Sequence, residues 1–262
     1  MATLFLAGDV MTGRGVDQVL PHPCAPRLYE TWVQSAREYV ALAERANGPI
    51  AAPVAWDYVW GDALGVLARK RPDARIVNLE TAVTACEEPW PDKGIHYRMH
   101  PANVEVLRAA RIDACALANN HVLDWGREGL SETIRTLAAA GIRTAGAGED
   151  EAQAAAPASI PVRDGGRILL FSYADGSSGV PREWAATPRR PGVNRLADLS
   201  PRTVEDVARE IARHRRPGDL VVASIHWGGN WGYGIGRDER AFAHALIDLA
   251  DVHLVHGHSS HH

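Results

Sequence analysis

Short apolar runs recur along this chain, and each stops abruptly at polar side chains. Residues 113–118 read Asp-Ala-Cys-Ala-Leu-Ala, small and apolar after the first position. That is the pattern of a strand buried on both faces. It breaks at Asn119, Asn120 and His121, which a buried strand could not keep. After Asp124 and Gly126, Leu130, Ile134 and Leu137 recur at helical spacing. A buried strand that ends in polar groups and leads into a helix places those groups at its carboxyl end, where open α/β sheets bind ligands.

The same reading predicts strands over 3–7, 75–80, 141–145, 158–162, 167–173, 219–225 and 252–255. Asp164, Gly165 and Gly166 form a hairpin signal between two of these, so antiparallel members are expected. Helices are predicted over 28–46, 60–71, 102–110 and 239–249, with a short one after residue 145. Another opens at Ser200 and Pro201, as N-cap and first-turn proline, and runs to about Arg215. Residues 86–99 are too irregular to assign. Residues 174–199 have no period, and a loop of that length in a compact domain is more often functional than filler.

Composition narrows the class. A chain of 262 residues with 46% apolar and 23% charged content can bury a large α/β core. A net charge of −4 offers no electrostatic reason to bind nucleic acid. Cys24, Cys86 and Cys115 are odd in number and in no metal spacing, so they read as reduced thiols in a cytosolic setting. No apolar run approaches a membrane span and no signal peptide precedes the first strand, so a cytoplasmic protein without a membrane segment is expected.

The polar ends carry the candidate chemistry. Five predicted strands end in Asp9, Glu80, Asn120, His226 and the pair His258 and His261. Mixed oxygen and nitrogen donors suit Zn, Mn, Fe or Ni rather than Ca. Two carboxylates with several imidazoles suffice for one or two divalent ions. Paired ions roughly 3.5–4 Å apart serve the hydrolysis of phosphate esters and some amides. The competing reading is that some of these groups only cap the helices that follow.

Five motifs occur in order: Gly8-Asp9-Val10-Met11; Asn78-Leu79-Glu80; Asn119-Asn120-His121 with Asp124 and Gly126; His226-Trp227-Gly228; and Gly257-His258-Ser259-Ser260-His261. Together they resemble the CapA family of capsule (poly-γ-glutamate) synthesis proteins, within the calcineurin-like metallophosphoesterase superfamily. The resemblance spans essentially the whole chain. It implies a single α/β domain over 1–262 with the calcineurin-like metallophosphoesterase fold, mixed β-sheets layered with helices. By similarity Asp9, Glu80, Asn120, His226, His258 and His261 take the metal-ligand positions, and His121 that of the histidine which protonates the leaving group. Two positions depart from the phosphoesterase pattern. Met11 stands where those enzymes carry a ligand histidine, and Glu80 where they carry a bridging Asp. The superfamily's domain also continues past the histidine loop, so a chain truncated at its C-terminus is expected.

The resemblance implies a metal-dependent hydrolase of envelope-polymer synthesis, acting on a phosphate ester or a γ-glutamyl-type amide. Asn119, Trp227, Asn230 and Tyr233 are its candidate substrate-binding residues, and residues 86–99 and 174–199 should flank the pocket. The expected ligands are an anionic polymer or a peptide or phosphoester, with other capsule-synthesis proteins as partners. Two alternatives stay open: a non-catalytic accessory subunit that binds polymer, or a metal-independent peptide epimerase in which Asp9 and a facing histidine exchange a proton at Cα.

Overall fold

The computed structural model describes residues 2–162 and 165–261. In a first sheet, β1 (Leu4–Val10), β2 (Ala74–Leu79), β3 (Ala114–Ala116) and β4 (Arg143–Ala145) lie side by side in chain order, all parallel. A second sheet is built from β5 (Ala158–Pro161), β6 (Arg167–Ala174), β7 (Leu220–His226) and β8 (Leu254–His258), in the spatial order β8-β7-β6-β5. Here β6, β7 and β8 are parallel and β5 runs antiparallel to β6. The helices are α1 (Arg14–Val19), α2 (Ala36–Asn47), α3 (Ala63–Lys70), α4 (Glu105–Ala109), α5 (Gly126–Ala139), α6 (Glu151–Ala155), α7 (Pro201–His214) and α8 (Arg237–Leu249).

Alternation along each strand sorts side chains to its two faces. Ala74 and Ile76 of β2, Ala114 of β3, Ile168 and Leu170 of β6 and Val222 of β7 form one cluster between the two sheets. The intervening residues face outward. Val77, Leu79 and Cys115 pack with Val106 and Leu107 of α4 and with Leu130 and Leu137 of α5. On the other side, Leu169, Phe171, Val221 and Ala223 pack with Val204, Val207 and Ile211 of α7 and with Phe242 and Leu246 of α8. The result is a layered α/β structure, helices outside and two largely parallel sheets within. The inward series turns polar toward the carboxyl ends: Asn78, Ser172, Ser224 and His226 continue it, all buried. Close approach of the sheets here requires a glycine. Gly146, just past β4, has φ +88°, and a Cβ there would collide with Ser172 Oγ and with Ala118 Cβ.

Several element boundaries differ from the sequence reading. The helix expected from residue 28 begins only at Ala36. Before it, Leu28 and Gln34 pair through the backbone, Leu28 packs on Val33, and Ser35 caps the helix by accepting from Arg37 N–H. The helix expected from residue 60 is split, with a 3-10 turn at Tyr58–Trp60 ahead of α3. The helix expected over 102–110 is likewise a 3-10 turn, Pro101–Val104, running into α4. The β3 strand is three residues long, with all three buried. Of the hairpin signal, Asp164 lies outside the described residues, while the strands on either side do pair antiparallel. Ser200 caps α7 as its sequence position predicts, accepting from Thr203 N–H.

Candidate metal centre

The carboxyl ends of both sheets meet at one place. Asp9 lies in β1 beside Asn78, whose amide donates to Asp9 Oδ1 at 2.7 Å. His226 and His258 are neighbours at the ends of β7 and β8. Their Nδ1 atoms are 2.9 Å apart and lie 3.6 and 3.5 Å from Asp9 Oδ1. Glu80 follows β2, and its Oε1 is 3.8 Å from His226 Nε2. Asn120 follows β3, and its Oδ1 is 3.0 Å from His226 Nε2. These residues stand on the facing rims of two sheets, which is why they converge rather than line up.

Two sets of ligand atoms come together within 4.8 Å: Asp9 with His226 and His258, and Asp9 with Glu80 and His261. Asp9 is common to both, whereas the resemblance assigned the bridging position to Glu80. His261 is exposed, held by its backbone N–H donating to Asn230 O at 2.6 Å and by an edge contact with Trp231.

Electrostatics shows how crowded the site is. Burial pushes the Glu80 carboxyl up to about 9, and the neighbouring Asp9 charge adds to this. Burial also opposes ionisation of Asp9, but the facing imidazoles of His226 and His258 outweigh it and hold Asp9 below the usual carboxylate range. Burial pushes His258 down to about 4. Behind His258, Ser224 Oγ is 2.8 Å from Nε2 and 3.1 Å from His256 Nδ1. One direction of donation satisfies the whole row. His256 donates to Ser224, Ser224 to His258, His258 to His226, and His226 to Asn120.

His121 stands beside these groups with its Nε2 3.8 Å from Glu80 Oε1. Its Nδ1 is 2.6 Å from Asp124 Oδ2, and a carboxylate only accepts, so Nδ1 carries the proton. Lys93 Nζ forms an ion pair with Asp124 Oδ1 at 2.7 Å. Its 3.2 Å approach to His121 Nδ1 joins two donors and is not a hydrogen bond in this tautomer. The Tyr97 ring stacks on His121 at 3.8 Å, and Tyr97 N–H donates to Asp124. Burial pushes His121 down to about 4, against the pull of Asp124. The ring is therefore neutral near pH 7, with the Nε2 lone pair facing the carboxylates.

The substrate-binding candidates fall in different places. Asn119 is fully buried: its amide donates to Asn78 Oδ1 and Leu79 O, and its carbonyl accepts from His121 and Val122 N–H. All four of its hydrogen-bonding positions are used in bracing the turn. Trp227 is half-buried against Phe242. Asn230 and Tyr233 are exposed on the following loop. Residues 86–99 reach the site through Lys93 and Tyr97. Residues 174–199 reach it where Ser178 Oγ donates to His226 O at 2.8 Å and where Gly179 lies against Asn120. The Met11 sulfur accepts from Gly13 N–H at 3.2 Å.

Sequence reasoning missed Lys93, Tyr97, Ser224 and His256 as partners of the site. A signal existed for Lys93, one of only two lysines in the chain and set in an aromatic-rich irregular stretch. Ser224 lies inside an apolar run, where only the pairing of β7 with β8 reveals its partners. All three cysteines are free thiols, with Cys115 buried. Among the described residues no helix is long and apolar enough to cross a membrane.

Residues 3–262 match the family model described as bacterial capsule synthesis protein PGA_cap. The chain is 50% identical over 263 residues to a Mycobacterium tuberculosis protein named probable polyglutamine synthesis accessory protein, aligning over its own full length and 69% of that relative. It is 26% identical to the PGA biosynthesis protein CapA of Bacillus subtilis, covering 97% of this chain and 56% of the relative. With the capsule biosynthesis protein CapA of Bacillus anthracis it shares 24% identity, over 95% of this chain and 63% of the relative. With a family model matched across all but its first two residues, this chain belongs to the bacterial capsule synthesis protein family.

Proposed function

We propose that this chain is a metal-dependent hydrolase in the synthesis of a capsule or polyglutamate-type envelope polymer, acting on a phosphate ester or a γ-glutamyl-type amide. One observation carries the reading. Asp9 with His226 and His258, and Asp9 with Glu80 and His261, each bring their ligand atoms within 4.8 Å of one another where the two sheets' carboxyl ends meet. The donor set fits Mn, Zn, Fe or Ni. Glu80 and Asp9 crowd each other in a way that a cation would relieve. Asp9, His226 and His258 would hold one ion, with Asn120 at its edge, and Asp9, Glu80 and His261 a second. Two facing sheets with helices outside and donors at their common end also support a calcineurin-like metallophosphoesterase fold.

An ion held there would polarise the scissile group and lower the pKa of water. The chain's own residues do the rest. Asp124, Lys93 and the Tyr97 ring hold His121 in one orientation and one tautomer, with Nε2 free to take a proton and return it to a leaving group. Asn119 sets the turn that presents Asn120 and His121 together. The loops at 86–99 and 174–199 wall the site.

A second reading is a non-catalytic accessory subunit that works with other polymer-synthesis proteins. Met11 favours it, since the methionine stands where the phosphoesterases carry a ligand and turns its sulfur to Gly13 instead. The word accessory in the mycobacterial relative's name points the same way. Metal analysis of the purified protein, with hydrolysis assays on phosphate esters and γ-glutamyl amides before and after chelation, separates the readings. The hydrolase requires bound divalent metal and chelator-sensitive turnover. Bound metal without turnover leaves the accessory role, and exchange of a peptide Cα proton with solvent that survives chelation, without hydrolysis, leaves the epimerase.

A further inference from the structure

Beside the ligand cluster, between residues 227–235, α8 and β8, lies a cavity of about 480 Å³. We infer that it is a subsite for a flexible chain carrying carboxylates on short aliphatic spacers, as a γ-linked glutamate oligomer does. The inference rests on the proposed function in taking such a polymer as the substrate.

Three features select that ligand. Trp227, Ile235 and Val255 give the cavity an apolar lining, which favours methylene groups over water. Arg240 and His244 of α8 also line it. The Arg240 side chain has no hydrogen bond or ion pair among the described residues. Glu239 lines the cavity as well, its Oε2 accepting Gly236 N–H at 2.5 Å rather than pairing with Arg240. The guanidinium is thus left to an incoming anion, and a carboxylate can meet it in a bidentate pair. Finally, the cavity reaches His258, so a chain lying in it leads directly to the ligand cluster.

The loop at the cavity's mouth has the character of a contact surface. Trp231 and Tyr233 are 80% and 83% exposed and Ile235 is 65% exposed, on a segment with glycines at 228, 229, 232, 234 and 236. Large apolar side chains grouped on a surface mark a binding site. Glycines let the backbone adjust to a chain of variable conformation. A neutral glycan could stack on the two aromatic rings but would leave Arg240 unpaired. A neutral glutamine polymer would fill the apolar lining equally well and lose the charged contact.

The test uses the protein stripped of metal with chelator, so that binding is read without turnover. Wild type, Arg240→Gln and Ile235→Ser are titrated by calorimetry and tryptophan fluorescence with a γ-linked glutamate pentamer, a γ-linked glutamine pentamer and a neutral oligosaccharide. The glutamate pentamer should bind wild type. Its affinity should fall roughly 10- to 100-fold in Arg240→Gln, the loss of one charge-assisted contact. The glutamine pentamer should bind wild type more weakly by a similar factor. Ile235→Ser should weaken both peptides. Metal content of all three proteins before stripping should be equal. Equal affinity for the two peptides, indifference to Arg240→Gln or preference for the oligosaccharide would overturn the subsite. Arg240-dependent binding in a protein that neither holds metal nor hydrolyses would keep the subsite and remove the hydrolase. Metal-dependent hydrolysis with peptide binding indifferent to Arg240 would do the reverse.

Discussion

At the scale of single residues, His121 and Asn119 sit side by side and do different work. His121 has one nitrogen committed to Asp124 and the other turned to the carboxylates. Replacing it with Ala should leave metal content nearly unchanged and lower turnover by roughly 10²–10⁴, the contribution of a positioned acid or base. His226→Ala should instead lower metal content. Elemental analysis beside a rate assay distinguishes the two, and unchanged turnover in His121→Ala would make that residue structural. Asn119 faces inward, and its removal strands buried partners on Asn78, Leu79, His121 and Val122. Asn119→Ala should cost several kcal/mol in urea denaturation, at about 1–3 kcal/mol for each buried group left unpaired. A loss below 1 kcal/mol, on that same scale, would mean that water replaces the amide.

At the scale of elements, helix α8 and the 86–99 loop tie packing to the site. Phe242 of α8 is 2% exposed and meets the Trp227 ring edge-on with centroids 6.1 Å apart. Phe242→Ala should destabilise the protein by about 3–5 kcal/mol, the cost of emptying a large core position. It should also shift Trp227 fluorescence, and an unshifted spectrum would uncouple the helix from the site. In the 86–99 loop, His96 is buried between Tyr29 and Trp125, its Nε2 3.0 Å from Trp90 O. Burial lowers its pKa from the ordinary 6.5. The unfolded chain therefore takes up this proton at a higher pH than the folded one. The stability it contributes is complete above pH 6.5 and is lost as pH falls through the folded value. Denaturation midpoints of wild type should decline below that pH, and His96→Phe should decline less steeply. Parallel slopes for the two proteins would assign the acid sensitivity to other groups.

At the scale of the whole molecule, the candidate centre joins the two sheets. Asp9 and Glu80 come from one and His226 and His258 from the other, so an ion bound among them would fasten layers otherwise held by apolar packing. A cation that binds only the folded state adds about 2.7 kcal/mol at a hundredfold excess over its Kd. Melting temperature should rise with added Mn or Zn and fall with chelator. The increment should vanish in Asp9→Asn, because Asp9 belongs to both ligand sets. Equal melting curves with and without metal would argue against an ion across the sheets.

Much of this was legible along the chain. Apolar runs ending in Asp9, Asn78-Leu79-Glu80, Asn120, His226 and His258 mark strands and their carboxyl ends, because burial selects apolar side chains locally and polar ones only where the strand emerges. Ser200 and Pro201 mark the start of α7, because capping depends on neighbours in sequence. Boundaries set by distant partners were not legible. The 28–35 stretch has residues that a helix would accept, yet Leu28 and Val33 fold onto α2 instead. What only the tertiary structure decided is which groups touch. Two sheets rather than one make Asp9 common to both ligand sets. Strand pairing within the second sheet brings Ser224 behind His258, and the tertiary fold brings Lys93 onto Asp124 and leaves Arg240 facing a cavity beside the centre. Strand period and end residues are local properties of the sequence. The distance between two strand ends depends on how whole sheets pack, and that is a sum over the entire core.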